Sequence, residues 1–179
     1  SDDTGNVYIT GQLEFSCTFS GGPTLNTGGK HDIILGKYST DGTLKWMKRA
    51  GGKGGDVGWG IGVDAQGNVY STGEFEMTAG WGPGDSMTVY GSNDIYLSKH
   101  SNSGNLIWIN KYGGSSDDKA RAMTTDANGN SYVTGYFSGN ANFDGTNLTK
   151  EGSTPALDEY LITKIDDIDF SKPSFIALH

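Results

Sequence analysis

Along this chain apolar and polar residues alternate over short runs, and Gly, Asn and Asp interrupt the runs at close intervals. In "NVYITG" from Asn6, Val7 and Ile9 fall on one side and Tyr8 and Thr10 on the other, the period-2 pattern of a β-strand. Four such runs follow one another in the middle of the chain: "WGIGVD" from Trp59, "NVYSTGEF" from Asn68, "DIYLSKH" from Asp94 and "LIWINKY" from Leu106. "AQG" separates the first run from the second and "SNSG" the third from the fourth, with "TDG" and "ANG" at matching places elsewhere. Gly, Asn and Asp tolerate the positive φ that tight hairpin turns need, so neighbouring strands are predicted to be antiparallel. No helical pattern is visible.

The pattern repeats. "GNVYITG" at Gly5 returns as "GNVYSTG" at Gly67 and "GNSYVTG" at Gly129, each time after 62 residues. The same interval relates Asp32 to Asp94, Lys37 to Lys99, Trp46 to Trp108, Gly51-Gly52 to Gly113-Gly114, Asp56 to Asp118 and Asp64 to Asp126. Phe19, Trp81 and Phe143 form an aromatic series in the same phase. In the third copy "EYLITK" places Lys164 65 residues after Lys99, which predicts a loop longer by three residues.

A four-stranded antiparallel meander repeated at this period, with apolar residues on both faces of its strands, predicts an all-β fold of stacked β-propeller blades. The first blade, 1–50, lacks its innermost strand; 51–112 form the second. The third, 113–179, has a divergent last strand, because "FSKPSFIALH" carries neither the Trp nor the Gly-Gly of the earlier copies. About three blades, one of them incomplete, fall short of the roughly four to eight that close a ring. An open ring exposes strand edges, so the chain is expected to be part of a longer protein or to complete its ring with a second copy.

The stretches "GIGVDAQGNVYSTGEF" and "NDIYLSKHSNSGNLIWINKYGG" resemble the bacterial SBBP-type β-propeller repeats, and "ARAMTTDANGNSYVTGYF" with "EYLITKID" resembles them over three strands. The resemblance covers nearly the whole chain. It implies a propeller fold and an extracellular or envelope setting, and it implies no particular reaction.

Composition narrows the choice of partners. Thirteen basic against twenty-one acidic residues give a net charge of −8, with no basic stripe to neutralise phosphates, so nucleic acid is not an expected partner. No apolar run reaches the length of a membrane-spanning helix. The single cysteine, Cys17, has Ala79 and Ala141 as its repeat equivalents and is expected to be a small buried side chain.

In a meander the first and third connections lie at one end of the blade and the second and fourth at the other. The tight turns fall at the first end and the long loops at the second: 12–31, 51–58, 74–93, 113–120 and 136–157. Recognition is expected there. Residues that break the repeat are the better ligand candidates, since a position kept in every blade serves every blade. Trp59, whose equivalent is Arg121, can stack on a sugar, or pack between blades. Trp81 is a ligand platform or, in phase with Phe19 and Phe143, a plug beneath the long loop. Asp56, Asp117 and Asp118 lie in glycine-rich loops and are weak calcium candidates, as no "DxDxDG" run is present. Asp32, Asp94, Asp64 and Asp126 are expected to accept from backbone amides. His31, His100 and His179 make no zinc spacing, and no nucleophile elbow or phosphate loop occurs. Paired carboxylates such as Glu74 and Glu76 suggest acid–base work on a glycan, although nothing in the sequence fixes their separation.

The sequence thus points to a non-catalytic, secreted or cell-surface scaffold or interaction module of the kind used in adhesion or an extracellular assembly, without a cofactor apart from the calcium question. The alternative is a carbohydrate-binding module that uses the long-loop end through Trp59, Trp81 and Arg121, and the third reading is part of a glycan-active enzyme.

Overall fold

The computed structural model describes residues 1–143, 145–149, 159–165 and 174–178, and among them every regular element is a β-strand. The first sheet is built from β1 (Val7–Leu13), β4 (Asp32–Tyr38) and β5 (Leu44–Gly52), with a hairpin of β2 (Ser16–Thr18) and β3 (Thr24–Asn26) inserted between β1 and β4. The second runs β6 (Val57–Val63), β7 (Val69–Gly82), β8 (Asp85–His100) and β9 (Leu106–Gly114), each strand antiparallel to the next. Here β7 and β8 themselves extend outward to make the equivalent of the β2–β3 hairpin. The third contains β10 (Asp118–Thr125), β11 (Ser131–Phe137), β14 (Glu159–Ile165) and β15 (Ser174–Leu178), with β12 (Asn140–Phe143) and β13 (Thr146–Thr149) as its inserted hairpin. The blades are therefore all-β meanders, the first of them short by one strand within this chain.

Register preserves the repeat closely. Tyr8 lies opposite Lys37, Tyr70 opposite Lys99 and Tyr132 opposite Lys164, so the shift from 62 to 65 leaves the pairing unchanged. Part of the segment that gains three residues lies outside the described residues, as does the start of "FSKPSFIALH"; β15 nevertheless pairs with β14 through Ser174–Leu178.

One turn geometry recurs at the plain end. In residues 2–6, 39–43, 64–68, 101–105 and 126–130, the first amide donates to the fifth carbonyl and the fourth amide to the first carbonyl. The fourth residue is always a glycine in the left-handed region, with φ between 78° and 91°. This is the three-residue hairpin loop closed by a left-handed glycine. Asp2 and Asp64 repeat a further arrangement, each accepting from two backbone amides, from the side-chain amide of Asn6 or Asn68, and from the hydroxyl of Tyr8 or Tyr70. Asp126 accepts from Asn128 and Asn130 in the same way.

The apolar cores lie between sheets. Ile33 and Ala50 of the first blade pack with Phe75, Ala79, Trp81 and Tyr96 of the second. Ile95, Leu97 and Tyr112 of the second pack with Val133, Phe137 and Phe143 of the third. At the rim, each joint is also hydrogen-bonded: the end of β5 pairs Gly51 and Gly52 with Gly80 and Ala79, and the end of β9 pairs Gly113 and Gly114 with Asn142 and Ala141. A Cβ on Gly52 or Gly114 would collide with the carbonyl oxygen of Thr78 or Asn140, so these positions need glycine.

Cys17 corrects an expectation, since it is half-buried where Ala79 and Ala141 are buried. The two alanines are covered by the Gly-Gly ends of β5 and β9, and among the described residues no strand end reaches Cys17 in that way.

Candidate functional site

Trp59 and Arg121, which differ at one repeat position, both occupy β-bulges. On β6 the register passes from Gly58–Gly73 to Gly60–Thr72, leaving Trp59 unpaired; on β10 it passes from Ala120–Gly135 to Ala122–Thr134, leaving Arg121 unpaired. A bulge re-aims the extra side chain out of the ladder, and here the same irregularity at the same repeat position displays two different chemistries. β6 is the first strand of its blade and packs against β10, the first strand of the next. The two side chains meet: the Arg121 guanidinium lies 5.3 Å from the Trp59 ring centre and 5.3 Å from that of Tyr136. Its Nη2 also donates to the Tyr136 hydroxyl at 3.4 Å. Trp59 is 46% exposed and Arg121 is exposed, so the cluster is a wet aromatic–cation surface near the long-loop end.

Trp81 does not join it. The outward extension of β7 carries Trp81 into the core between the first and second blades, where it meets Phe75 at 5.6 Å and Tyr96 at 5.3 Å. Phe143 packs in the same way against Tyr112 and Phe137, whereas Phe19 is only half-buried.

The loop carboxylates are engaged by the fold. Asp56 accepts from the amides of Gly52 and Glu76 at 2.8 and 3.0 Å, and Asp118 from those of Gly114 and Ser138 at 2.6 and 3.1 Å. Both are fully buried, and burial pushes the Asp56 carboxyl up to about 6 and that of Asp118 up to about 7 against the pull of those amides. Asp32 and Asp94 stand beside them: Asp94 Oδ1 and Asp118 Oδ2 both come within 2.8 Å of the place a Gly113 Cβ would take, and Asp32 and Asp56 flank Gly51 likewise. Burial also pushes Asp94 up to about 6, and one oxygen of each of Asp32 and Asp94 has no hydrogen-bond partner among the described residues.

Asp117 is exposed and accepts from Asn93 at 3.1 Å, while Asp56 and Asp118 belong to different joints. Among the described residues, no three His, Cys, Asp or Glu side chains converge as a metal site. Glu74 and Glu76 each face a different lysine, Lys119 at 3.5 Å and Lys30 at 2.9 Å.

Two features were not anticipated. Phe15 and Met77 are equivalent by the 62-residue interval, both have φ in the left-handed region (67° and 58°), and both are exposed. The third copy puts Gly139, φ 72°, at that position. Tyr136 was also missed, although its equivalents are Gln12 and Glu74, so it breaks the repeat as Trp59 and Arg121 do.

No curated protein matches this chain. Residues 107–144, which run from β9 through the bulge of β10 to the hairpin of the third blade, match the family model SBBP, described as a beta-propeller repeat. Residues 107–144 are thus similar to a β-propeller repeat of the SBBP type, and the 62-residue register carries the same antiparallel meander through the other copies.

Proposed function

We propose that this chain is a non-catalytic interaction module, a rigid stretch of propeller in a secreted or surface-displayed protein that engages its partner at the long-loop end. One observation carries the reading: the paired bulges that set Trp59 and Arg121 side by side, exposed, on a backbone otherwise kept constant. A scaffold that holds its backbone and varies the side chain at one aimed position is built to change what it recognises and not how it folds.

A second reading is favoured by the exposed Trp59 ring: a carbohydrate partner, whose apolar sugar face stacks on indole. A glycan array followed by Trp59→Ala and Arg121→Ala separates the two readings. Loss of a bound sugar in folded variants supports the glycan partner. An array without binders, together with loss of a protein partner in the same variants, supports the protein one.

A further inference from the structure

A second, chemically different site lies between the first and second blades. A cavity of about 430 Å³ opens there, a volume in the range of sites for small organic ligands. Trp81 and Leu106 supply apolar wall, and Ser98 and Asn105 supply hydrogen-bonding groups. Lys48 and Arg49 bring two positive charges to this cavity in a chain whose net charge is −8. Arg49 is held by Asp32 at 2.6 Å, whereas Lys48, which is exposed, has no ion-pair partner among the described residues. Asp85 is the carboxylate on the lining.

The decisive group is His100. It lines the cavity, is 5% exposed, and its Nδ1 has no hydrogen-bond partner among the described residues. A buried polar atom left unsatisfied costs about 1–3 kcal/mol, so a ligand that supplies its partner recovers that loss. Burial, with the charge of Lys48 adding, lowers the imidazole to about 4, so at neutral pH it is an uncharged hydrogen-bonding group beside the Lys48 ammonium.

We propose that this inter-blade cavity binds an acidic monosaccharide, with its carboxylate on Lys48, a hydroxyl on His100 Nδ1 and its apolar face toward Trp81. The hydroxyl and amide groups on the walls favour a polyhydroxylated body over an aromatic acid of the same charge. Neither Trp59 nor Arg121 lines the cavity, so the site stands apart from the bulge cluster.

Calorimetric titration of the whole chain with D-glucuronate, D-glucose and phenylacetate tests this. Glucuronate binds with a Kd in the millimolar range, about tenfold tighter than either comparison compound. Lys48→Gln, a change at an exposed position, weakens glucuronate about tenfold, and Trp59→Ala leaves it unchanged. The pKa of His100, followed by NMR, rises when glucuronate is bound, because a carboxylate arrives beside it. The proposal is overturned by no glucuronate binding up to about 50 mM, by glucose or phenylacetate binding as tightly, by an unmoved His100, or by sensitivity to Trp59→Ala and not to Lys48→Gln. That last result would instead place the sugar on the bulge cluster.

Discussion

At the joint between the first and second blades, Arg49 sets its guanidinium 2.6 Å from the buried Asp32; at the next joint the residue in its place, Lys111, turns to the Thr88 carbonyl and the Tyr90 ring. The backbone at the two joints is the same, down to Gly51 at φ 146° and Gly113 at φ 144°. The second joint thus keeps two buried carboxyls, Asp94 and Asp118, without a directly bonded cation among the described residues; burial pushes Asp94 up to about 6 and Asp118 up to about 7, with the charges of Asp94 and Asp117 adding to the latter. Repetition fixes the geometry of a joint, and the charge that geometry can tolerate is set separately, one side chain at a time.

The most severe way to break the equivalence is to fill the contact both joints share. Gly114→Ala drives a methyl into the Asn140 carbonyl and is expected to cost about 3 kcal/mol or more, read as a lower urea midpoint, and Gly52→Ala should do the same at Thr78. Next comes the charge. Arg49→Ala leaves Asp32 buried beside Asp56 without its guanidinium and should cost about 2 kcal/mol, reduced from the buried-pair range because Arg49 is partly exposed. Lys111→Ala should cost under about 1 kcal/mol, since its bond is to an exposed carbonyl. Equal losses in the two variants would erase the distinction between the joints.

The pH dependence is smaller. A carboxyl whose folded pKa is raised stabilises the fold while it holds its proton, and that contribution is lost as pH rises through the folded value. Asp118, near 7, dominates above pH 6.5, with Asp56 and Asp94, near 6, already mostly ionised. His100, lowered to about 4, acts in the opposite sense but only below its unfolded value near 6.5. Stability should therefore fall by about 1 kcal/mol between pH 6.5 and pH 8, and Asp118→Asn should remove most of that slope. A flat profile in the wild-type chain would mean that the second joint is compensated after all. The smallest effect is a gain: Met77→Gly relieves a left-handed residue in the manner of Gly139 and should raise stability by up to about 1 kcal/mol.

The blades, their antiparallel order and the placement of turns and long loops were legible because period-2 alternation and left-handed glycines are local signals that a 62-residue interval repeats. The pairing of Trp59 with Arg121 was legible only as a shared phase. That each residue is bulged depends on counting pairs across a ladder, and a single strand does not contain that count. Trp81 was grouped with them because its loop belongs to the same end. The outward course of β7 and β8, which carries it away to the inter-blade core, rests on pairing between Thr78–Gly82 and Asp85–Thr88. The cavity beside His100 was out of reach for the same reason, since its walls come from two blades.

The Gly-Gly ends of β5 and β9 give the stack a direction. Each precedes in sequence the hairpin it holds, so a chain emerging from the ribosome presents the clasp before the part to be clasped. Blade by blade, synthesis thus delivers a sheet edge ahead of the hairpin that pairs with it.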